Sequence, residues 1–393
     1  MRLPSPRRVL AATFLPALLV AGPAVAEDTE IAPGITFSGN LQIEMSLDVL
    51  GRRRDRRAHA NAYTQSELDL ALNLPGGFSV NGVFKLEPTG RDRGAADRGF
   101  ADQAGWVDAL NLTWTQGPLQ LFGGKIHPRF GFAWDRAPGL YGADIAEGYE
   151  LSEKLGYGAQ LSWSDLAGLT ESIGQHDIRF EMFQADRSAL SSSAFSPRYQ
   201  ATDPQSGGMR WLWRNRRATG GPDNTTGTGN FVASAQGTGV PAPVGTLDYT
   251  LGYSSRRAGD DSVAAGTAAT ERGTVAGLAW EFALPLRITA TPLVEWVRLQ
   301  DAGGVRDARR DVVTAGLALA RAPFTTAYAY AWQRDTGPTP SRATEHSASI
   351  TYDLGDAAPW LNGFQWSLGW RRLREEGVAA NDYGTQLVYA VAF

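Results

Sequence analysis

Residues 35 to 49 read Ile-Thr-Phe-Ser-Gly-Asn-Leu-Gln-Ile-Glu-Met-Ser-Leu-Asp-Val, an almost unbroken alternation of apolar and polar side chains. Ile35, Phe37, Leu41, Ile43, Met45, Leu47 and Val49 fall on odd positions, and Thr36, Ser38, Asn40, Gln42, Glu44, Ser46 and Asp48 on even ones. Successive side chains of a strand point to opposite faces, so this segment has one greasy face and one wholly polar face. The same pattern closes the chain, from Gln386 to Phe393. Many such strands, with apolar faces on lipid and polar faces on water, build a transmembrane antiparallel β-barrel.

The alternation can be followed as hairpins along the chain. Strands are expected near 35–49, 65–74, 78–88, 104–115, 119–127, 154–165, 174–185 and 229–237. Eight more follow near 246–256, 273–282, 287–298, 311–320, 324–334, 344–354, 364–374 and 383–393. That makes about 16, an even number, with short turns such as Pro75-Gly76-Gly77 and long loops such as 187–228 alternating throughout. A barrel of this size is too wide for side chains to fill and encloses a water channel. Trp106 and Trp114, both assigned to the lipid face, lie eight residues apart, or about 26 Å along a strand at roughly 3.3 Å per residue. Tilted by around 40°, that is about 20 Å, close to the height of an apolar band between two aromatic girdles.

Composition agrees. Arg2, Arg7 and Arg8, the apolar run from Val9 to Val20, and Ala24-Val25-Ala26 form an export leader over 1–26, to be cleaved. The mature barrel domain is then 27–393, with a net charge near about −7, since the leader carries three basic and no acidic residues. Beyond the leader, no run reaches the roughly 18 apolar residues of a membrane helix. With no cysteine, the wall's hydrogen bonds must hold the fold without disulfides or thiolate metal sites.

Two stretches are motif-like. Leu387, Tyr389, Val391 and Phe393 alternate at the end of the chain. Gly124-Lys125-Ile126-His127-Pro128-Arg129-Phe130-Gly131 runs into Trp134-Asp135-Arg136-Ala137-Pro138-Gly139 and Tyr141-Gly142-Ala143-Asp144. On these residues and on its architecture, the chain resembles the Gram-negative bacterial outer-membrane porin family, specifically the sixteen-stranded general porins. The resemblance implies that loop 128–153, third among the long loops, folds into the lumen and narrows it. It implies that the terminal alternation is the signal read by the barrel-assembly machinery. It also implies a homotrimer in the cell outer membrane, among outer-membrane lipid and lipopolysaccharide.

Asp135, Asp144, Glu147, Glu150 and Glu153 make the third loop acidic, and carboxylates at a constriction favour cations. Arg129 on the loop, and Lys85 and Arg179 on the wall by parity, are the candidate opposing charges. Further inward positions by parity are the bases Arg287 and Arg371 and the acids Glu44, Glu67, Asp69, Glu87, Glu181, Asp248, Glu281, Glu295, Glu345 and Asp353. The arginine clusters at 52–57 and 210–217 fall in long loops, where they are solvated or meet lipid phosphates. An acidic, exported chain does not point to nucleic acid.

The expected function is a passive channel for small hydrophilic solutes and ions, weakly cation-preferring. A solute-selective channel remains open, with Arg129, Phe130, Trp134 and Tyr141 as part of a track, as does a non-conducting adhesin or structural barrel. A barrel enzyme would need a paired nucleophile and base. His346, lipid-facing by parity, has no serine neighbour, and His59, His127 and His176 lack metal-ligand spacing. No catalytic residue, metal or cofactor is expected.

Overall fold

The computed structural model describes residues 28–393 apart from 54–56, 90–96, 196–198, 203–208, 213–220, 260–262 and 264–265, with the backbone alone at 199–202 and 209–212. The leader at 1–26 and most of the arginine cluster at 210–217 therefore lie outside the described residues. Sixteen antiparallel strands close into one barrel. They begin with β1 (Ile35–Leu50), β2 (His59–Thr64 and Ser66–Leu74), β3 (Phe78–Pro88), β4 (Gln103–Gln116) and β5 (Leu119–Ile126). Then come β6 (Lys154–Ser162), β7 (Gln175–Ala185), β8 (Asn230–Pro241), β9 (Thr246–Arg256), β10 (Glu271–Leu284) and β11 (Ile288–Gln300). The last are β12 (Arg309–Arg321), β13 (Phe324–Thr336), β14 (Ser341–Asp353), β15 (Phe364–Glu375) and β16 (Val378–Ala392). Closure is the pairing of β1 with β16, Asn40 opposite Ala392 through Val49 opposite Tyr383, which leaves the wall without a free edge.

Side-chain parity follows the alternation in β1. Met45, Leu47 and Val49 stand exposed on the outer face, while Ser46 and Asp48 are buried on the inner one. Large exposed apolar side chains continue around the outside, including Leu112, Ile178, Leu251, Val294, Ile350 and Leu368. A belt of that extent on a monomer is a lipid-contacting or protein-contacting surface. No helix among the described residues is long and apolar enough to cross a membrane.

Trp106 does not face lipid. Val83 pairs with Ala109 but Phe84 with Val107, so Asp108 is an extra residue, a β-bulge. One inserted residue reverses the parity beyond it, because the side-chain period is two. Trp106 consequently sits opposite the inward Lys85 and is only 3% exposed, whereas Leu110, Leu112 and Trp114 keep the outer face. Three further expectations change. The strand predicted over 154–165 stops at Ser162, and Trp163 opens a helical turn, stacked on His176. Arg287 belongs to the 285–287 turn, with a left-handed φ of 59°, and not to the wall. Short and long connections do not alternate throughout, since 163–174 is long and Glu376-Gly377 is a two-residue hairpin on the long-loop end.

The girdles reappear on other strands. On β13 the outward positions run from Phe324 to Trp332, again eight residues and about 20 Å of height at the usual tilt. Phe324 packs on Tyr352 at the turn end, and Tyr328 and Tyr330 contact His346 nearer the loop end.

Candidate functional site

The segment between β5 and β6, residues 127–153, turns into the barrel and crosses it. Its route is fixed by contacts with the inner face of the wall. The Arg129 N–H donates to Glu181 on β7 at 2.7 Å. On β11, Glu295 accepts from the Phe132 and Ala133 N–H groups at 2.7 and 3.1 Å, and from the Tyr149 hydroxyl. Arg136 reaches Asp248 on β9 at 2.8 Å. Farther round, the Tyr141 hydroxyl donates to Asp48 on β1 at 2.7 Å, and Asp144 pairs with Arg371 on β15. The loop returns to Glu153, whose carboxylate takes the buried Lys125 ammonium at 2.8 Å.

The wall is shaped for this passenger. Phe130, Phe132, Tyr149 and Leu151 are buried against Phe183, Val232, Val275, Leu293, Val297 and Val312, all inward on β7 to β12. Burying a large apolar side chain contributes about 1.5–3 kcal/mol, so the packing rivals the hydrogen bonds in holding the loop. Glycines open the floor beneath it. A Cβ at Gly277 would come within 2.9 Å of the Phe132 ring, and one at Gly316 within 2.3 Å of the Pro138 ring. Gly369 stands in the same relation to Leu140 at 2.8 Å.

On the opposite side a space of about 770 Å³ remains between the loop and β1 to β5. It follows β3 from Gly77 to Glu87, nearly the height of the wall, and toward the turn end it also takes in Thr325, Ser349, Thr351 and Ser367. Its lining is acidic. Glu44, Glu67, Asp69, Glu87 and Asp108 come from the wall, and Asp135, Glu147 and Glu150 from the loop. The lining Lys and Arg side chains are Lys85, Arg136 and Arg179, with His127 beside them. Each is already paired: Lys85 with Asp108 at 2.8 Å and Glu67 at 3.4 Å, Arg136 with Asp248, and Arg179 with Glu181 at 2.7 Å. Burial pushes the Asp135 carboxyl up to about 7, although Arg136 pulls the other way. Glu147 is likewise raised to about 7 by burial, reinforced by Asp144 and Glu150, and Glu150 is raised by burial against the pull of Lys85.

Of the residues singled out in the sequence, Asp135, Glu147, Glu150, Lys85 and Arg179 thus surround one space. Asp144 and Arg129 stand apart from it. Asp144 is the loop's tie to Arg371, and burial raises its carboxyl to about 6 while that arginine opposes the shift. Arg129 is buried beside Arg179 and Glu181 at the loop's root, 8% exposed. Sequence reasoning missed Asp108, His127 and Arg136. The bulge hid Asp108, which by simple alternation belongs outside. His127 lies 3.2 Å from that carboxylate. Among the described residues no group of side chains has the arrangement of a metal site.

Solved structures share this architecture. The outer-membrane channel DcaP of Acinetobacter baumannii aligns with a TM-score of 0.56 at 10% identity, over 92% of this chain and 99% of that one. A loop L8 deletion mutant of OmpT, an outer membrane protein of Vibrio cholerae, aligns at 0.53 and 9% identity, over 91% and 99%. The fold is that of the outer-membrane porins. No protein-family model and no curated protein matches the chain. At such low identity the likeness shows the fold alone, and the lining described above is this chain's own.

Proposed function

We propose that this chain forms a passive, water-filled channel in the outer membrane, admitting small hydrophilic solutes and ions with a weak preference for cations. The observation that supports this reading is the acid-rich passage beside the in-folded loop, in which every lining Lys or Arg is already paired with a carboxylate. Surplus fixed negative charge in a narrow aqueous path raises the local cation concentration. At 0.1 M salt the Debye length is about 10 Å, so passing ions feel the wall. The reading includes a cleaved leader at 1–26, a homotrimer, and no catalysis. It also takes Leu387, Tyr389, Val391 and Phe393 as the assembly signal. The Phe393 ring packs at 6.1 Å from Phe37 and over Gly39, across the β1–β16 closure.

The test is a planar-bilayer recording of reversal potential in a potassium chloride gradient. Asp135→Asn, Glu147→Gln and Glu150→Gln, combined, should lower the cation-to-anion permeability ratio several-fold, most at low salt. Unchanged selectivity in channels that still insert would remove these carboxylates from the ion path. A folded protein that never conducts would leave a structural or adhesive barrel.

A further inference from the structure

Outside the barrel, at the loop end of β13 to β15, four arginines share the outer face: Arg334, Arg342, Arg372 and Arg374, each exposed. Their parity is that of Trp332, His346 and Trp370, while the intervening Arg371 and Leu373 are buried on the inner face. Arg334 and Arg342 are direct cross-strand partners. Arg374 lies opposite Thr344 and Arg372 opposite His346, so the four occupy three adjacent strands, roughly 10 Å across at the usual strand spacing.

Like charges directly opposite on a sheet repel, and a fold gains nothing from them without a counter-charge. Among the described residues none of the four forms an ion pair. Glu375, next to Arg374 in sequence, has the inward parity of Arg371 and Leu373, and Glu376 accepts the Arg342 backbone N–H at 2.6 Å. On the adjoining strand β12 an outward acid, Asp311, stands directly opposite Arg334 but is already taken by other arginines. The outward Arg298 on β11 and Arg309 on β12 both hold Asp311 at 2.7 Å, so two guanidinium groups share that one carboxylate and leave none of its charge for Arg334. The β13 to β15 cluster is therefore a local positive surface on a chain whose net charge is −4.

Its height on the wall says what could supply the anion. Arg334 follows Trp332 by one pleat and Arg372 follows Trp370 by one pleat, toward the loop end. Tyr328 and Tyr330 contact His346 just below, and Ile350 and Leu368 continue the apolar band. Aromatic girdles sit at the border between acyl chains and headgroups. Side chains one step beyond the girdle lie among headgroups, where guanidinium forks take phosphate oxygens two at a time.

We propose that this face binds the phosphorylated headgroup of an outer-leaflet lipid, with its acyl chains lying along the outer faces of β13 to β15. The site is separate from the channel and does not depend on conduction.

The test uses the full-length folded barrel in detergent, with purified lipopolysaccharide as the probe and inorganic phosphate at matched phosphate concentration as the comparison. Binding is read as lipid retained on the heat-modifiable species and as a rise in its unfolding temperature. Arg334→Gln, Arg342→Gln, Arg372→Gln and Arg374→Gln together should weaken lipopolysaccharide binding at least tenfold, leaving single-channel conductance unchanged. The four Arg→Lys changes should keep part of the binding, because the charge remains and the fork is lost. Should the quadruple variant fold poorly, Arg334→Gln with Arg342→Gln removes a repulsive pair and should lower binding in the same direction. Equal binding by the Gln variants overturns the proposal. So does inorganic phosphate matching the lipid's effect, which would make this an ion site, or a change of oligomeric state with lipid binding intact, which would assign the face to a second copy of the chain.

Discussion

Two arcs of the same wall carry different inner faces. Along β1 to β4 the inward side chains are Gln42, Glu44, Glu67, Asp69, Asn81, Lys85 and Asn111, polar and hydrogen-bonded to one another or open to the passage. Along β10 to β12, around the single carboxylate of Glu295 that holds the loop, they include Gly273, Val275, Gly277, Ala279, Leu293, Val297, Val312 and Gly316, small or apolar. Both arcs carry large apolar side chains on the outer face, among them Met45, Leu47 and Leu112 on one and Leu278, Val294 and Leu317 on the other. One arc is a wall between lipid and water, and the other is a wall between lipid and protein. The comparison teaches that the loop's position is written into the strands that receive it as much as into the loop itself. Loop 127–153 cannot lie on the polar arc without stranding carboxylates, and the apolar arc cannot face water without exposing valine and leucine.

The change that should disturb this division most is Glu295→Ala. It removes one buried carboxylate that accepts from two backbone N–H groups and the Tyr149 hydroxyl, leaving three buried donors unpaired. Each such loss costs about 1–3 kcal/mol, so the loop should detach from the apolar arc. Single-channel conductance should rise and become noisy, and protease should cut within 127–153. The matching change on the polar arc, Glu67→Ala, meets water at a half-buried site and should leave loop protection intact. Equal loosening by both would mean that the two arcs do not differ in how they hold the loop.

A smaller effect should come from pH. Asp135 and Glu147 have carboxyls raised to about 7 by burial, which means that they are neutral in acid and ionise only as pH rises through that value. Cation preference should therefore grow between about pH 5.5 and 8.5, and shrink in acid. Asp135→Asn with Glu147→Gln should flatten the profile. A wild-type reversal potential that is flat over this range would show these carboxylates already ionised.

The finest test concerns the bulge. In a chain without native cysteine, a cysteine at 108, which lines the passage, should react with aqueous thiol reagents admitted through the lumen, and one at 107 should be spared within the membrane. At 42 and 44 reaction is expected, and at 41 and 43 protection. Labelling of 107 in place of 108 would return Asp108 to the lipid face and remove the partner of Lys85.

How much of this was legible beforehand varies with the range of the interaction. Strand positions in β1, β3, β9 and β15 match the alternation to within a residue, because in-out periodicity is a local property that lipid on one side and water on the other enforce everywhere. The failures fall where a local rule was interrupted. The bulge at Asp108 leaves no mark in the residue types, and Trp163 carries strand-like character into a turn. One signal was present and unread. The run Gly273-Thr-Val-Ala-Gly-Leu-Ala-Trp is apolar or small on both faces, as suits a strand covered on both sides, and in a water-filled barrel only an in-folded segment can supply the second cover.

By itself the sequence determined a closed antiparallel wall, its strand count, the loop that had to be accounted for, and an excess of carboxylate over base. Only the tertiary structure decided which charges share the passage. Asp144 was drawn off by Arg371, which follows 227 residues later, and Arg129 was buried at the root of the loop, while Asp108 was turned inward to Lys85. Period and composition are set by neighbours along the chain. Partnership across a lumen is set by how far each strand has been carried around the circle, and no single segment contains that information.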